Sequence, residues 1–478
     1  MAATTVNVTV IGYVDAVAGT LDAVVVGAGP NGLTAAVRLA SAGLSVVVLE
    51  AAPTVGGGAR TMTLGDARID HCAAVHPFGA TSPAFEELDL TGHGLRWLRP
   101  PVGLAHPFDD GDAAVVDHDT AAGLGVDEAR WRRIVDPFAD DWQRLRHAVL
   151  GPVLRSVVEH PISMTRFGLF AGLNAQLLER LFRGRSARAL IAGSAAHGGA
   201  PLGSLTTAGV ALGLLAAGQA SGMPFAAGGS QAIMDALAGV VRANGGTIET
   251  NRRVASWSDL PPARAVLLDL VPGQAAAIVG SPTPRWRHGV AAWKLDLVLA
   301  GPMPWTAEAC RSAGTVHLGG APHEVAVAER ATARAALPDR PFVIVAQPTV
   351  ADPSRAPAGQ HVIWAYRHVP NGCSDDRATT GIEAQFDRFA PGWRDLVVNR
   401  RVTTSAGFAA YSESYVGGDI AGGAMTAWQT VARPRLAYDP YRFRAREGVW
   451  LCSQSTPPGP GVHGMCGWQA AGSVLKTL

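Results

Sequence analysis

Short apolar runs punctuated by glycine organise the beginning of the chain. Asp22–Val26 opens an apolar strand, a glycine turn follows, a helical pattern continues through Ala42, and a second apolar run covers Leu44–Leu49. Runs without alternation read as strands buried on both faces, the mark of a parallel sheet. Residues 86–222 are mainly helical in pattern, with apolar residues at i, i+3, i+4 spacing over Ala129–Leu150 and Leu173–Leu190. Pro224–Gly246 predicts a helix between two glycine pairs. The strand Thr247–Val254 follows, and a short loop leads to the strand Ala265–Leu270. Gly289–Leu299, Phe342–Gln347 and His361–His368 alternate or run apolar and suit a second sheet. A last strand, Gly448–Ser453, runs into a terminal helix that begins near Gly464. The pattern predicts an α/β fold with helices between the strands.

Composition narrows the partners. The 478 residues carry a net charge of +1, so no excess charge grips nucleic acid or an anionic surface. Residues 189–234 contain no Asp, Glu, Lys or Arg. Gly, Pro, Ser, Thr and His interrupt them, and the apolar run Val210–Ala217 is far shorter than the ~20 residues of a membrane span. A buried or pocket-lining helix is expected, leaving peripheral contact as the one membrane mode open. The 5 cysteines form no CxxC pair and read as reduced thiols of a cytoplasmic protein, with no metal site. Residues 1–20 lack a positive n-region and read as an extension outside the fold.

The chemistry starts at Gly27-Ala28-Gly29-Pro30-Asn31-Gly32, which lies between a strand and a helix; the next strand ends in Glu50. Strand, GxGxxG, helix, strand and acid form a Rossmann dinucleotide fingerprint. Gly27 makes the turn, Gly29 lets backbone amides approach a pyrophosphate, and Gly32 lets the helix pack on the strand. Pro30 and Asn31 open the helix whose N-terminus faces the phosphates. Glu50 suits a ribose diol. These residues alone leave NAD and FAD open.

A second glycine cluster, Thr54-Val55-Gly56-Gly57-Gly58-Ala59-Arg60-Thr61, resembles the GGRxxS/T element of the amine oxidase and phytoene desaturase superfamily of flavoproteins. The arginine directly after the glycine pair is here Gly58, and a guanidinium returns at Arg60. The C-terminal Ser455–Met465 stretch is similar to that of carotenoid desaturases at Thr456, Pro458, Gly459, Gly461 and Gly464. Gln429 with Arg433-Pro434 resembles a desaturase segment beside the flavin. The resemblance runs from Leu21 to the C-terminus and is closest to the phytoene dehydrogenase-related, pyridine nucleotide-disulfide oxidoreductase domain-type branch.

That resemblance implies FAD as cofactor and a Rossmann-type FAD-binding domain of the GR2 type, with a twice-inserted α+β substrate domain. The implied boundaries are 21–85, 223–282 and 441–478 for the FAD domain, and 86–222 and 283–440 for the substrate domain. It implies FAD contacts from Gly57, Gly58, Arg60 and Thr61, and adenine contact from the Val254 backbone. Thr456, Pro458, Gly461, Val462, Gly464 and Met465 would cap the flavin. The implied reaction is oxidation of a hydrophobic small molecule by hydride transfer to flavin N5, with O₂ or a quinone as final acceptor. A flavin amine oxidase releasing an imine and H₂O₂, a redox-neutral isomerase and a catalytically silent flavin protein are the other readings.

Three residues are candidates for catalysis. Lys294 is one of two lysines in an arginine-rich chain. Flavin amine oxidases carry a lysine at the matching place, holding a water on N5; a salt bridge to Asp296 or Glu324 is the alternative. His76 follows the glycine element and His463 precedes the capping helix, where either could move a proton. His197 lies in the uncharged stretch, and Tyr411 with Tyr415 could cage an amine or pack in the core.

Overall fold

The computed structural model describes residues 20–478, so the expected extension lies outside the described residues but for Thr20. Five strands form one parallel sheet in the order Val449–Leu451, Ala263–Leu268, Leu21–Val26, Val46–Leu49, Thr247–Glu249. Both faces of the inner strands are covered, which is why Ala23–Val26, Val46–Leu49 and Ala265–Leu268 are apolar runs, while the edge strand Thr247–Glu249 is partly exposed. Ala23 and Val25 pack with the helices Pro30–Ser41, Gln231–Ala243 and Met465–Leu475, while Val24 and Val26 pack with Val266, Leu268 and Leu451. The terminal helix lies directly on the first one: a Cβ at Gly467 would overlap the Asn31 carbonyl oxygen.

A second sheet has seven strands, in the order Val397–Thr403, Ala291–Leu299, His361–Val369, Val343–Ala346, Ala313–Leu318, Val102–Pro107, Ala113–Val116. All neighbours are antiparallel except Ala313–Leu318 beside Val102–Pro107. Side chains alternate between its faces. Trp293, Leu295, Val345 and Ile363 pack on the helix Arg377–Phe389 through Ile382 and Phe386. Ala292, Lys294, Trp364, Tyr366 and His368 occupy the opposite face.

Residues 86–222 are mainly helical, and Val102–Pro107 and Ala113–Val116 within them join this second sheet. The expected helix over Ala129–Leu150 is three short ones, Glu128–Ile134, Asp136–Asp140 and Trp142–Val149. Pro137 supplies no amide to continue the first. Leu173–Leu190 is likewise divided, with Ala175–Glu179 and Arg185–Ala196 separated around Gly184. The uncharged stretch holds the buried helix Thr207–Ser221, closed by Gly222 at φ 76°. Among the described residues no helix is long and apolar enough to cross a membrane.

Candidate active site

One cavity of 1190 Å³ runs from the first sheet's glycine turn to the second sheet's inner face. Gly27, Gly29, Pro30, Asn31 and Glu50 line one end. Glu50 Oε2 accepts the Ala28 amide at 2.7 Å and Oε1 accepts the Ala52 amide at 2.9 Å. The carboxylate is thereby fixed at the end of its strand. Gly32 lies just outside the lining, and a Cβ there would overlap the Gly27 carbonyl oxygen. Its amide donates to Asp269 Oδ2 at 2.9 Å. Asn31 Oδ1 is buried without a protein partner at the rim of this turn, and Val254 lines the same end. Tight glycines, an orphaned polar atom and a held carboxylate fit a dinucleotide.

The second glycine element packs on the first, since a Cβ at Gly57 would come 3.0 Å from Gly29 Cα. Gly57, Gly58 and Arg60 line the cavity. The Tyr415 hydroxyl fills the space of a Gly58 side chain, a physical reason for the missing arginine. The Arg60 guanidinium is directed at protein acceptors: Nε at Thr54 Oγ1 (3.1 Å), Nη1 at the Tyr411 hydroxyl (2.9 Å) and Nη2 at the Thr54 carbonyl (2.6 Å). Thr61 does not line the cavity; its hydroxyl donates to Asp70 Oδ1 at 2.7 Å.

At the C-terminal stretch, Pro458, Gly461, Val462 and His463 line the cavity, whereas Thr456, Gly464 and Met465 lie behind it. The Thr456 hydroxyl donates to the Ser453 carbonyl at 2.7 Å. Gly464 caps the terminal helix at φ 67°, and the Met465 amide donates to His463 Nδ1 at 3.1 Å. Burial pushes His463 down to about 4.

Two expected catalytic residues sit elsewhere. His76 is buried between the cavity-lining Val75 and Pro77, but its own Nε2 bonds Ser230 Oγ at 2.8 Å and burial pushes it down to about 4. Lys294 is 1% exposed and does not line the cavity. Its ammonium donates to Asp296 Oδ1 at 2.6 Å, Oδ2 at 2.7 Å and the Asp70 carbonyl at 2.7 Å. Burial lowers the ammonium and raises the carboxyl, and each opposes the other's shift. The expectation of a lysine open to the cavity is corrected: its partners take every proton it could offer.

Sequence reasoning missed Asp269 and His368, both of which line the cavity. Asp269 stands at the end of a parallel strand as Glu50 does, and burial pushes it up to about 7. An acid ending an apolar strand was the available signal. His368 follows Trp364 and Tyr366 at alternate positions, a spacing that places all three on one face. Tyr411 and Tyr415 line the cavity with rings 6.4 Å apart and 18° from parallel. Among the described residues no cluster could hold a metal ion.

Residues 25–88 match the family model of an NAD(P)-binding Rossmann-like domain. Over 96% of the chain and 94% of the relative, the sequence is 25% identical to pyridine nucleotide-disulfide oxidoreductase domain-containing protein 2 of Rattus norvegicus. It is 33% identical to the hydroxyneurosporene desaturase of Cereibacter sphaeroides, over 45% of this chain and 46% of that one. The fold matches a variant of putrescine oxidase at a TM-score of 0.62 and 18% identity, covering 96% of this chain and 99% of the other. The fingerprint turn, the glycine element packed on it and these likenesses support a fold of the phytoene desaturase and flavin amine oxidase type, with a dinucleotide-binding domain at its start.

Proposed function

We propose that the protein oxidises a lipophilic small molecule by hydride transfer to flavin N5. The observation that carries this reading is the 1190 Å³ cavity, which joins the glycine turn to a wall of Phe78, Val149, Phe167, Leu214, Ile344 and Trp364. FAD, when bound, supplies the hydride acceptor. Gly27, Gly29, Asn31 and the N-terminus of the helix Pro30–Ser41 would hold its pyrophosphate, Glu50 a ribose and the Val254 backbone the adenine. Gly57, Gly58 and the Pro458–His463 loop would bound the flavin part. Arg60 serves the loop it is tied to, and Lys294 fastens the second sheet to the hairpin Thr61–Asp70.

The apolar wall excludes water and favours an apolar ligand through burial of its surface. The likeness to a hydroxyneurosporene desaturase supports a lipophilic substrate. The sheet order supports a division into an FAD domain, 21–85, 223–282 and 441–478, and a substrate domain, 86–222 and 283–440.

A second reading, an amine oxidase, draws on the facing rings of Tyr411 and Tyr415. Both hydroxyls are turned to the glycine element, with Tyr411 donating to the Gly57 carbonyl at 2.5 Å. That arrangement suits a loop support better than an amine cage. Anaerobic mixing with a panel of terpenoids, lipophilic alcohols and amines tests both readings. Bleaching of the visible flavin band by an apolar compound supports the proposal. Bleaching by amines alone, with peroxide released in air, replaces it with the second.

A further inference from the structure

Three histidines line the cavity, His197, His368 and His463, and they differ in what holds the ring. His463 accepts a backbone amide on Nδ1. His197 Nε2 shares a 2.8 Å hydrogen bond with His317 Nε2. His368 alone meets a carboxylate: its Nδ1 stands 3.0 Å from Glu329 Oε2. Glu329 comes from the helix Pro322–Ala333 and is 3% exposed, and His368 is the penultimate residue of the strand His361–Val369 at 8% exposed.

A carboxylate only accepts, so the proton of the neutral ring sits on Nδ1 and the Nε2 lone pair is free. Gly199, at φ +58°, lies beside Nε2, where a Cβ would make ordinary contact at 3.6 Å. The charged and titratable groups around the pair are few. His197, at the end of the helix Arg185–Ala196, is pushed down to about 3 by burial and then by His368. Tyr366, on the same strand face with its ring 5.6 Å away, is pushed up by burial. Arg367 points to the opposite face, where burial pushes it down to about 10 and Glu329 opposes the shift. A proton arriving at Nε2 would therefore be balanced by a directly bonded carboxylate, whereas His197, His463 and His76 bond to no carboxylate, and Asp70 acts on His76 only through its charge.

We propose that the His368–Glu329 pair is the proton acceptor of the reaction and that the substrate is a lipophilic alcohol. This rests on the hydride-transfer reading above. The O–H bond breaks as its proton passes to His368 Nε2. The carbinol C–H bond breaks as hydride, with both electrons, passes to FAD, and the carbon–oxygen double bond forms. The hydroxyl meets a polar corner of His368, His197 and Thr315 beside the apolar wall. Glu329 is a positioning residue: it fixes the tautomer and stabilises the imidazolium without touching substrate.

The probe is 4-nitrophenol, whose phenolate absorbs where the phenol does not, added to the holoenzyme at a pH below the phenol's own pKa. Wild type should show the phenolate band, because the phenol proton passes to Nε2. His368→Gln should lose the band and bind the phenol roughly 10–100-fold more weakly, as the loss of a charge-assisted bond implies. Glu329→Gln, isosteric and uncharged, should weaken the band while the flavin content stays that of wild type. Should His368→Gln lose its flavin, Glu329→Gln carries the test. No phenolate band in wild type, or an unchanged band in both variants, overturns the base. Flavin bleaching by 1-dodecanol and farnesol is read separately. A wild type that ionises the phenol but is bleached by neither alcohol keeps the base and loses the alcohol. Bleaching that is equally fast in wild type and His368→Gln across pH 6–10 leaves the oxidoreductase and removes the base.

Discussion

Lys294 and Asp296 lie two residues apart on one strand, and their side chains join at 2.6 Å with each 1% exposed. Alternation puts both on the same sheet face, and the third proton of the ammonium reaches the Asp70 carbonyl of the hairpin Thr61–Asp70. The pair is a buried tie between the two sheets' territories. Lys294→Met would strand the Asp296 charge, an effect of about 3–5 kcal/mol for a broken buried pair. We expect a large fall in the melting temperature of Lys294→Met and its partial recovery in Lys294→Met/Asp296→Asn. A single variant as stable as wild type would show that the pair contributes nothing.

Buried histidines make stability fall in acid. Burial pushes His71 and His197 down to about 3 and His76, His106 and His463 down to about 4, each from 6.5. Their folded pKa values lie below the unfolded ones, so between pH 6.5 and about 4 the unfolded chain binds more protons. The stability they give is complete above pH 6.5 and is lost as pH falls through that window, at about 1.4 kcal/mol per pH unit for each ring. Urea midpoints measured from pH 7.5 to 5 should drop steeply. A flat profile would mean that these rings are charged in the folded protein.

The fingerprint and the parallel strands were legible because each local choice serves one purpose: apolar runs buried on both faces, glycines where backbones touch, an acid at a strand end. The second sheet was legible only in part. Val102–Pro107 holds His106 and Pro107, and its neighbour Ala113–Val116 has four residues, too few for a period to emerge beside helical segments. Lys294 was legible as unusual, and its pair with Asp296 only as one of two readings, because rarity in composition does not give direction in space. His368 was invisible for the opposite reason: its partner Glu329 lies 39 residues away, on a helix whose sequence shows nothing but a solvated acid.

Gly467 makes a packing prediction that needs no ligand. It sits in the terminal helix where that helix meets the first, and a Cβ would overlap the Asn31 carbonyl oxygen. Backbone cannot move aside as a side-chain end can. Gly467→Ala should destabilise the protein by about 1–3 kcal/mol, the usual range for overpacking. It should also lower flavin content, since Asn31 lies in the first turn of the helix proposed to hold the pyrophosphate. Gly472→Ala, which meets only the Arg38 side chain, is the control and should be near neutral in both measurements.

Asp269 gives the cofactor site a pH dependence of definite sign. Its Oδ2 accepts the Gly32 amide at 2.9 Å, a Cβ on Gly29 would lie 3.0 Å from the same atom, and Glu50 adds a second negative charge nearby. Burial first and then Glu50 raise the carboxyl to about 7, against the Gly32 bond that favours the anion. Below pH 7 the group is mostly neutral; above it a charge appears beside the turn suited to a pyrophosphate, where like charges repel. FAD affinity should therefore weaken as pH rises through 7, by up to about tenfold for each pH unit of displacement between free and bound protein. Asp269→Asn keeps an oxygen for the Gly32 amide and removes the titration. Dissociation constants for FAD at pH 6 and 8 should then coincide in the variant and differ in wild type. Equal constants at both pH values in wild type would mean that Asp269 keeps one protonation state throughout.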